Sequence, residues 1–98
     1  MDKTKLWTAL FKAAQLQELL EDIFENHKLI DLSNHDRQVL MATASECHGK
    51  RGCTTTELLN NGLVKTIARA TLQRSLSKLK HRGLIASSGG TTNKMYYL

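Results

Sequence analysis

Residues 68–85, ARATLQRSLSKLKHRGLI, combine four leucines with an unusual run of positive charge. The cationic residues of this segment are Arg69, Arg74, Lys78, Lys80, Arg82 and, when protonated, His81, and it contains no carboxylate. A helix that only has to be soluble usually mixes both signs of charge on its exposed face. A single sign instead favours contact with a polyanion, because each lysine or arginine placed on a phosphate releases a counterion.

Charge is unevenly divided along the 98 residues of the chain. Residues 1–57 hold all nine acidic residues and seven lysines and arginines, whereas residues 58–98 hold seven lysines and arginines and no acid. The formal net charge of +5 therefore arises in the C-terminal part. This distribution predicts a polyanion-binding surface there, and a solvated basic face without a partner is the alternative.

The spacing of the leucines predicts a helix over about residues 66–82 that carries most of these charges. Its buried seam is expected to consist of Ala68, Leu72, Leu76 and Leu79, which fall within about 80° of one another, and Gly83 ends it. With this seam turned inward, the outward residues are Ala70, Gln73, Arg74, Ser77 and His81, flanked by Ile67, Thr71 and Lys78. An ordinary amphipathic surface helix is the alternative.

The outward face has the mixture of side chains that a reader of the DNA major groove needs. Small residues allow close approach, and an amide or guanidinium can pair with two atoms of one base edge. The candidate DNA-binding residues of the helix are Arg69, Ala70, Thr71, Gln73, Arg74, Ser77, Lys78 and Lys80. The first turns of a recognition helix meet the bases, so Thr71, Gln73 and Arg74 are assigned to base edges. Lys78, Lys80 and Arg82 are assigned to phosphates.

Two further segments are candidates for phosphate contact. Residues 84–88 and 94–98 read as two strands joined by the turn GGTTN, whose Thr92, Asn93 and Lys94 suit the DNA backbone or minor groove. This wing spans about residues 86–97. Thr54 and Thr55 begin a short helix, where hydroxyls and free amides can hold a phosphate. Capping of that helix is the favoured role for these threonines.

The other elements are predicted from helix-start signals and periodicity. A helix covers residues 3–26, and a second begins near Asn34 after the Ser33 cap and ends near Cys47. A short extended piece around Cys53 leads into the helix TTELLNN, which Gly62 is expected to end in a left-handed conformation.

The order of these elements is that of a winged helix-turn-helix. We therefore expect a mainly α fold with a small β-hairpin and an added long N-terminal helix. Residues 1–30 would form that helix, and residues 31–98 the DNA-binding domain.

The apolar stripe of the N-terminal helix changes direction along its length. It leans toward Trp7, Phe11 and Ala14 in the first half and toward Leu16, Leu19 and Ile23 in the second. One helix on one small core needs a single stripe, so two stripes indicate two neighbours, one of them a second protomer. The predicted dimerisation residues are Leu6, Trp7, Leu10, Phe11 and Ala14. The alternative is a helix that lies diagonally across its own domain.

TTTELLNN, followed by ARATLQRSLSKLKHRGLIASS, resembles the MarR-like winged helix-turn-helix regulators. Their recognition helix reads Arg-x-Thr-apolar-x-Arg-x-apolar-x-x-apolar and closes on Arg-Gly-apolar-Ile. These places are held here by Arg69, Thr71, Leu72, Arg74, Leu76, Leu79, Arg82, Gly83, Leu84 and Ile85. The resemblance covers about residues 34–98. It implies a dimeric DNA-binding regulator whose recognition helices lie in successive major grooves.

The chain departs from that family in three ways. The connection from Gly62 to Thr71 is about a turn longer than usual, and the wing lacks the Asp-x-Arg tip common in the family. The C-terminal dimerisation helix of the family is also missing from this sequence. We therefore expect the N-terminal helix to carry most of the dimer contact.

Metal, redox and enzymatic chemistry are weakly supported. Cys47, His48 and Cys53 match no common zinc spacing, and small core cysteines are favoured over a zinc site or a regulatory thiol. The acid-free C-terminal part lacks the clustered carboxylates of metal-dependent nucleases, and no phosphate-binding glycine loop is present. We expect no cofactor, no metal and no catalytic activity.

Together these features predict a cytoplasmic, homodimeric protein that binds double-stranded DNA sequence-specifically and regulates transcription, with repression favoured over activation. No membrane association and no small-molecule effector are expected. A replication or partition factor of a plasmid or phage would use the same surface. A winged helix that docks its basic face on an acidic protein is the alternative from another class.

Overall fold

A computed structural model describes residues 2–89 and 94–98. The chain divides into two compact units, Met1–Asp31 and Leu32–Leu98. The first unit contains helix α1, Lys3–Asn26. The second contains α2 (Asn34–Cys47), β1 (Cys53–Thr54), α3 (Thr55–Leu59), α4 (Arg69–His81), β2 (Ala86–Ser88) and β3 (Met95–Tyr97).

The first unit is a helix whose large apolar residues face solvent. Asp2 caps it, because the Asp2 carboxylate accepts a hydrogen bond from the Thr4 amide at 2.9 Å. The exposed apolar side chains are Leu6, Trp7, Leu10, Phe11, Leu16, Leu19 and Ile23, whereas Phe24 is buried. The predicted bounds of this helix are confirmed. Within residues 2–89 and 94–98, no helix has the length and apolar character needed to cross a membrane.

Short-range caps set the starts of α2 and α3 where the sequence predicts them. The Ser33 hydroxyl accepts from the Asp36 amide at 3.1 Å, which begins α2. Thr54 and Glu57 form a reciprocal capping box at the start of α3. The Thr54 hydroxyl accepts from the Glu57 amide at 3.1 Å, and the Glu57 carboxylate accepts from the Thr54 amide at 3.0 Å.

The prediction for the start of α4 is wrong by three residues. The helix begins at Arg69, and the expected seam residue Ala68 is its exposed N-cap. Ile67, expected to flank the outward face, is buried at 8 % exposure. The reason is that residues before α4 form turns, in which the Ile67 amide donates to the Val64 carbonyl at 2.8 Å. Ile67 and the buried Val64 thus fill the core without belonging to a helix.

Gly62 does not end α3 in a left-handed conformation, so that prediction is also wrong. Helix α3 ends at Leu59, with Asn60 as its C-cap. The turn that follows depends on Asn61, whose side-chain oxygen accepts from the Leu63 amide at 2.9 Å. By contrast, Gly83 has φ of 76° directly after α4, as expected of a glycine that ends a helix.

Three antiparallel strands form a sheet in the order β1-β3-β2, so β3 is central. Cys53 pairs with Tyr96 across β1 and β3, and Ser87 pairs with Tyr96 across β2 and β3. Gly52 precedes β1 where the two backbones meet, because a Cβ at this position would lie 2.7 Å from the Tyr96 carbonyl oxygen. The fold is therefore mainly helical with a small antiparallel sheet, as predicted.

Candidate nucleic-acid interface

The buried side of α4 fixes which of its residues reach solvent. Leu72, Leu76 and Leu79 are at most 1 % exposed and pack in the core of the second unit. Ser75 lies on the same side, and its hydroxyl donates to the Asp36 carboxylate of α2 at 2.7 Å. Because α4 is held on its buried side by both apolar packing and this bond, its opposite side is presented as a rigid surface.

The side of α4 opposite the leucines forms what we call the crest. It comprises Ala70, Arg74, Ser77 and His81, all exposed, which fall within about 60° of one another at 3.6 residues per turn. The Arg74 guanidinium donates to the Thr71 hydroxyl at 3.4 Å, one turn away. This contact directs the Arg74 guanidinium along the crest, whose other residues are small or polar.

The three predicted base-reading residues lie at different places around α4. Arg74 lies on the crest and is exposed. Thr71 is half-buried on one flank, where it accepts the Arg74 contact. Gln73 is half-buried on the other flank and lines a cleft beside the helix. Of the three, Arg74 is thus the residue with the most direct access to a groove.

An open cleft of about 440 Å³ runs between α4 and β3. It is lined by Gln73, Leu76, Ser77, Lys80, His81, Lys94 and Tyr96. Lys80 belongs to α4, whereas Lys94 directly precedes β3 and is remote from Lys80 in sequence. Ammonium groups, an amide and a hydroxyl around one cleft are suitable partners for a phosphate group, and the cleft lies directly beside the crest.

The acidic side chains of the second unit are engaged away from the crest. Three are present in residues 32–98. Asp36 is buried against Ser75, and the Glu46 carboxylate accepts from the Asn61 amide at 2.6 Å. Glu57 binds Lys50, a contact that lowers the pKa of the Glu57 carboxyl and raises the pKa of the Lys50 ammonium. These bonds leave the positive potential of α4 without a competing carboxylate on its outward face.

The lysines and arginines of α4 are presented to solvent. Arg69, Arg74, Lys78 and Lys80 are all exposed. Among residues 2–89 and 94–98, none of these four side chains forms a salt bridge with an acidic residue. The first turn of α4 contains no acid, and its N-cap residue Ala68 provides no side-chain hydrogen bond. The positive end of the helix dipole therefore adds to the charge of these residues.

The remaining predicted contact residues have different positions. Thr54 and Thr55 are half-buried, and the Thr54 hydroxyl is occupied by the capping box with Glu57. A carboxylate at this place disfavours a phosphate, so the structure gives Thr54 a capping role. Lys94 is exposed and lines the cleft. Thr92 and Asn93 lie outside the described residues.

Cys47 and Cys53 face each other with their sulfurs 3.8 Å apart, and both are free thiols. The Cys47 thiol also donates toward the Tyr96 carbonyl at 3.5 Å. Burial raises the pKa of the Cys53 thiol to about 12. Within the parts of the chain that the structure describes, no three histidine, cysteine or acidic side chains are grouped so that they could hold a metal ion.

Sequence reasoning missed two residues that shape this interface. Ser75 has the helical phase of the buried leucines, which is a signal that a buried partner must satisfy its hydroxyl. Tyr96 is buried in the central strand and forms the floor of the cleft, which depends on a strand order that the sequence alone does not reveal.

The chain matches no family model, no curated protein and no solved structure in the three comparisons with known proteins.

Proposed function

We propose that the second unit binds double-stranded DNA, with α4 in the major groove. The observation that carries this proposal is the adjacency of the crest and the cleft on one acid-free face. Arg74 stands on the crest, and Lys80 and Lys94 flank the cleft beside it. A major-groove helix needs one surface for base edges and a neighbouring one for the sugar-phosphate backbone.

Each part of the face has a role in this mode of binding. Ala70 and Ser77 allow the helix to approach the bases closely, and the Arg74 guanidinium can pair bidentately with a guanine edge. Lys80 and Lys94 bind a phosphate in the cleft, with Gln73 and Ser77 as hydrogen-bonding partners. Lys78 on the other flank of α4 contacts the opposite strand's backbone.

The element order supports a winged helix-turn-helix of the MarR-like kind, with α3 and α4 as the helix pair and β2 and β3 as the wing. Residues of α1, among them Trp7 and Phe11, pair two copies of the chain. Two paired units read half-sites about one helical turn apart. The role in the cell is transcriptional regulation. Repression is favoured because a protein bound to an operator blocks polymerase without the help of another domain or partner.

Selection of bound duplexes from a random pool tests this proposal. The expected result is an enriched sequence that binds at least about 10³ times more tightly than a scrambled duplex of the same length. Lys3→Gln is a suitable control, because it removes one positive charge from α1 and none from the second unit. Recovery of unenriched sequences would contradict sequence-specific binding.

A basic face can also dock on an acidic protein, and the same samples separate the two functions. Poly-glutamate has a similar density of negative charge but offers no groove. If poly-glutamate competes with the selected duplex at equal charge concentration, the face recognises charge alone and the DNA proposal fails.

A further inference from the structure

Two faces of α1 are each apolar in one half and charged in the other, and the exposed Leu6 and Leu10 lie between them on neither face. The first, which we call the tryptophan face, comprises Trp7, Phe11, Ala14, Glu18, Glu21, Asp22 and Glu25. The second, the lysine face, comprises Lys5, Lys12, Leu16, Leu19 and Ile23. At 3.6 residues per turn, these faces span about 100° and about 60° of the helix and are centred about 140° apart.

All twelve of these side chains are exposed, and the apolar ones are prominent. Trp7 is 70 % and Phe11 64 % exposed on the tryptophan face, and Leu16 is 62 % exposed on the lysine face. Large apolar side chains concentrated on a helix in this way mark a contact surface. The charged half of each face indicates which partner this contact surface binds.

The charges of α1 run against the dipole of the helix. Apart from the Asp2 cap, the acids lie in the C-terminal half and Lys3, Lys5 and Lys12 in the N-terminal half. The first turn contains no acid and the last turn no base. A single helix is stabilised by the opposite order, so the stability of α1 alone does not account for this distribution.

Of the possible pairings between these two faces on two α1 helices, one matches apolar with apolar and acid with base. Two tryptophan faces in parallel would oppose their acids, and two lysine faces in parallel would oppose their lysines. Antiparallel contacts between like faces, or parallel contacts between unlike faces, would set charged halves on apolar halves. Only an antiparallel contact of a tryptophan face with a lysine face avoids both conflicts.

A single register sets the three apolar residues of each face opposite one another and sets both lysines opposite acids, while Glu21 and Asp22 face the partner's Ala9 and Thr8. Trp7 then faces the partner's Ile23, Phe11 the partner's Leu19, Ala14 the partner's Leu16, Glu18 the partner's Lys12 and Glu25 the partner's Lys5. The apolar halves and the charged halves lie opposite each other in this one register, because the two faces match in length. Lys3, the one basic residue on the tryptophan side, faces the partner's His27 in this alignment, past the end of the lysine face at Ile23.

We infer that α1 binds a second copy of itself in this antiparallel register, with the tryptophan face of one copy on the lysine face of the next. This inference rests on the proposed function only in taking a second copy as the partner. The contact is heterologous, because two different surfaces meet. A pair of copies therefore leaves one face of each kind unfilled, and further copies can add along the array.

Two matched variants of the full chain test this inference. Trp7→Ser with Phe11→Ser disables the tryptophan face, and Leu16→Ser with Leu19→Ser disables the lysine face. All four side chains are more than half exposed, so the second unit keeps its core. In sedimentation velocity experiments, the wild-type chain should grow beyond a dimer with concentration, and each variant alone should sediment as a monomer.

An equimolar mixture of the two variants gives the decisive result. The intact lysine face of one variant and the intact tryptophan face of the other should combine into a heterodimer that does not grow further. A stable homodimer of either variant would show a symmetric contact and overturn the inference. A mixture that stays monomeric, or a wild-type chain that stays monomeric at millimolar concentration, would overturn it as well.

The register has its own test in the facing pair Lys5 and Glu25. Lys5→Glu alone should weaken association, and Lys5→Glu combined with Glu25→Lys in one chain should restore it, because each copy again offers opposite charges. No restoration would contradict the register. The same samples, tested on duplex DNA, keep the two proposals separate. Association without DNA binding contradicts the placement of α4 in the groove and leaves this inference intact. DNA binding without association contradicts this inference and the pairing of two copies, and leaves the placement of α4 intact.

Discussion

The Ser75 hydroxyl of α4 donates a hydrogen bond to the Asp36 carboxylate of α2 at 2.7 Å, and both side chains are buried. Asp36 is also the residue whose amide is capped by Ser33 at the start of α2. The start of one helix is thereby bonded to the middle of another, 39 residues away. Together with the buried leucines Leu72, Leu76 and Leu79, this bond fixes the rotation of α4 about its own axis and so determines which residues form the crest.

Ser75→Ala should lower the free energy of unfolding by about 1–3 kcal/mol, because it leaves a buried acceptor without its donor. Ser77→Ala is the matched control, since the same change is made two residues further along α4 on an exposed residue. It should change stability by less than about 0.5 kcal/mol. Urea denaturation measures both, and equal losses would show that the Ser75 bond does not stabilise the fold.

Arg74→Ala and Lys78→Ala should weaken DNA binding in different ways. Loss of the Arg74 guanidinium should cost about 1–3 kcal/mol on the selected duplex and relax the choice of base at one position. Loss of the Lys78 ammonium should weaken all duplexes alike, because a phosphate contact carries no sequence information. Titration of both variants against the selected and scrambled duplexes measures the difference. An Arg74→Ala variant with unaltered selectivity would remove Arg74 from the base-reading surface.

Thr54→Ala separates capping from phosphate binding at the start of α3. Removal of the cap should lower the free energy of unfolding by about 1 kcal/mol. Duplex affinity, measured at a temperature where the variant is fully folded, should remain that of the wild type. Thr55→Ala serves as the control, because the Thr55 hydroxyl is not part of the capping box. A large loss of affinity at unchanged stability would restore the phosphate role of Thr54.

The raised pKa of Cys53 predicts a loss of stability at high pH. The folded chain holds the thiol proton up to a pKa of about 12, whereas the unfolded chain releases it near 9. The contribution of Cys53 is therefore complete below pH 9 and falls as the pH rises from 9 toward 12. Unfolding free energies of the wild type and Cys53→Ala between pH 8 and 10.5 should converge as the pH rises. A difference in unfolding free energy between the wild type and Cys53→Ala that stays constant with pH would contradict the raised pKa of Cys53.

Local signals in the sequence account for much of the fold. The starts of α2 and α3 follow from Ser33 and from the Thr54–Glu57 pair, since caps act over three residues. The start of α4 was missed because Ala68 has no capping side chain. Val64 and Ile67 extend the apolar pattern of α4 through a turn, and periodicity alone does not distinguish a buried turn from a helix.

The candidate site was predictable in its charges but not in its shape. The exposed positions of Arg74, Ser77 and Lys80 follow from the leucine spacing within one helix. The cleft depends on the placement of Lys94 and Tyr96 beside α4, which is set by the pairing of β3 between β1 and β2. Contacts between residues so distant in sequence are decided by packing, and no local pattern records them.

The central claim is that α4 and the cleft together form one phosphate-contacting surface, and the salt dependence of duplex affinity tests it most directly. Each phosphate contact should contribute about −0.9 to the slope of log affinity against log salt concentration. The wild type should therefore show a steep negative slope, and Lys80→Ala with Lys94→Ala should reduce its magnitude by about 2. An affinity that does not change with salt, or a double variant with the wild-type slope, would contradict the account.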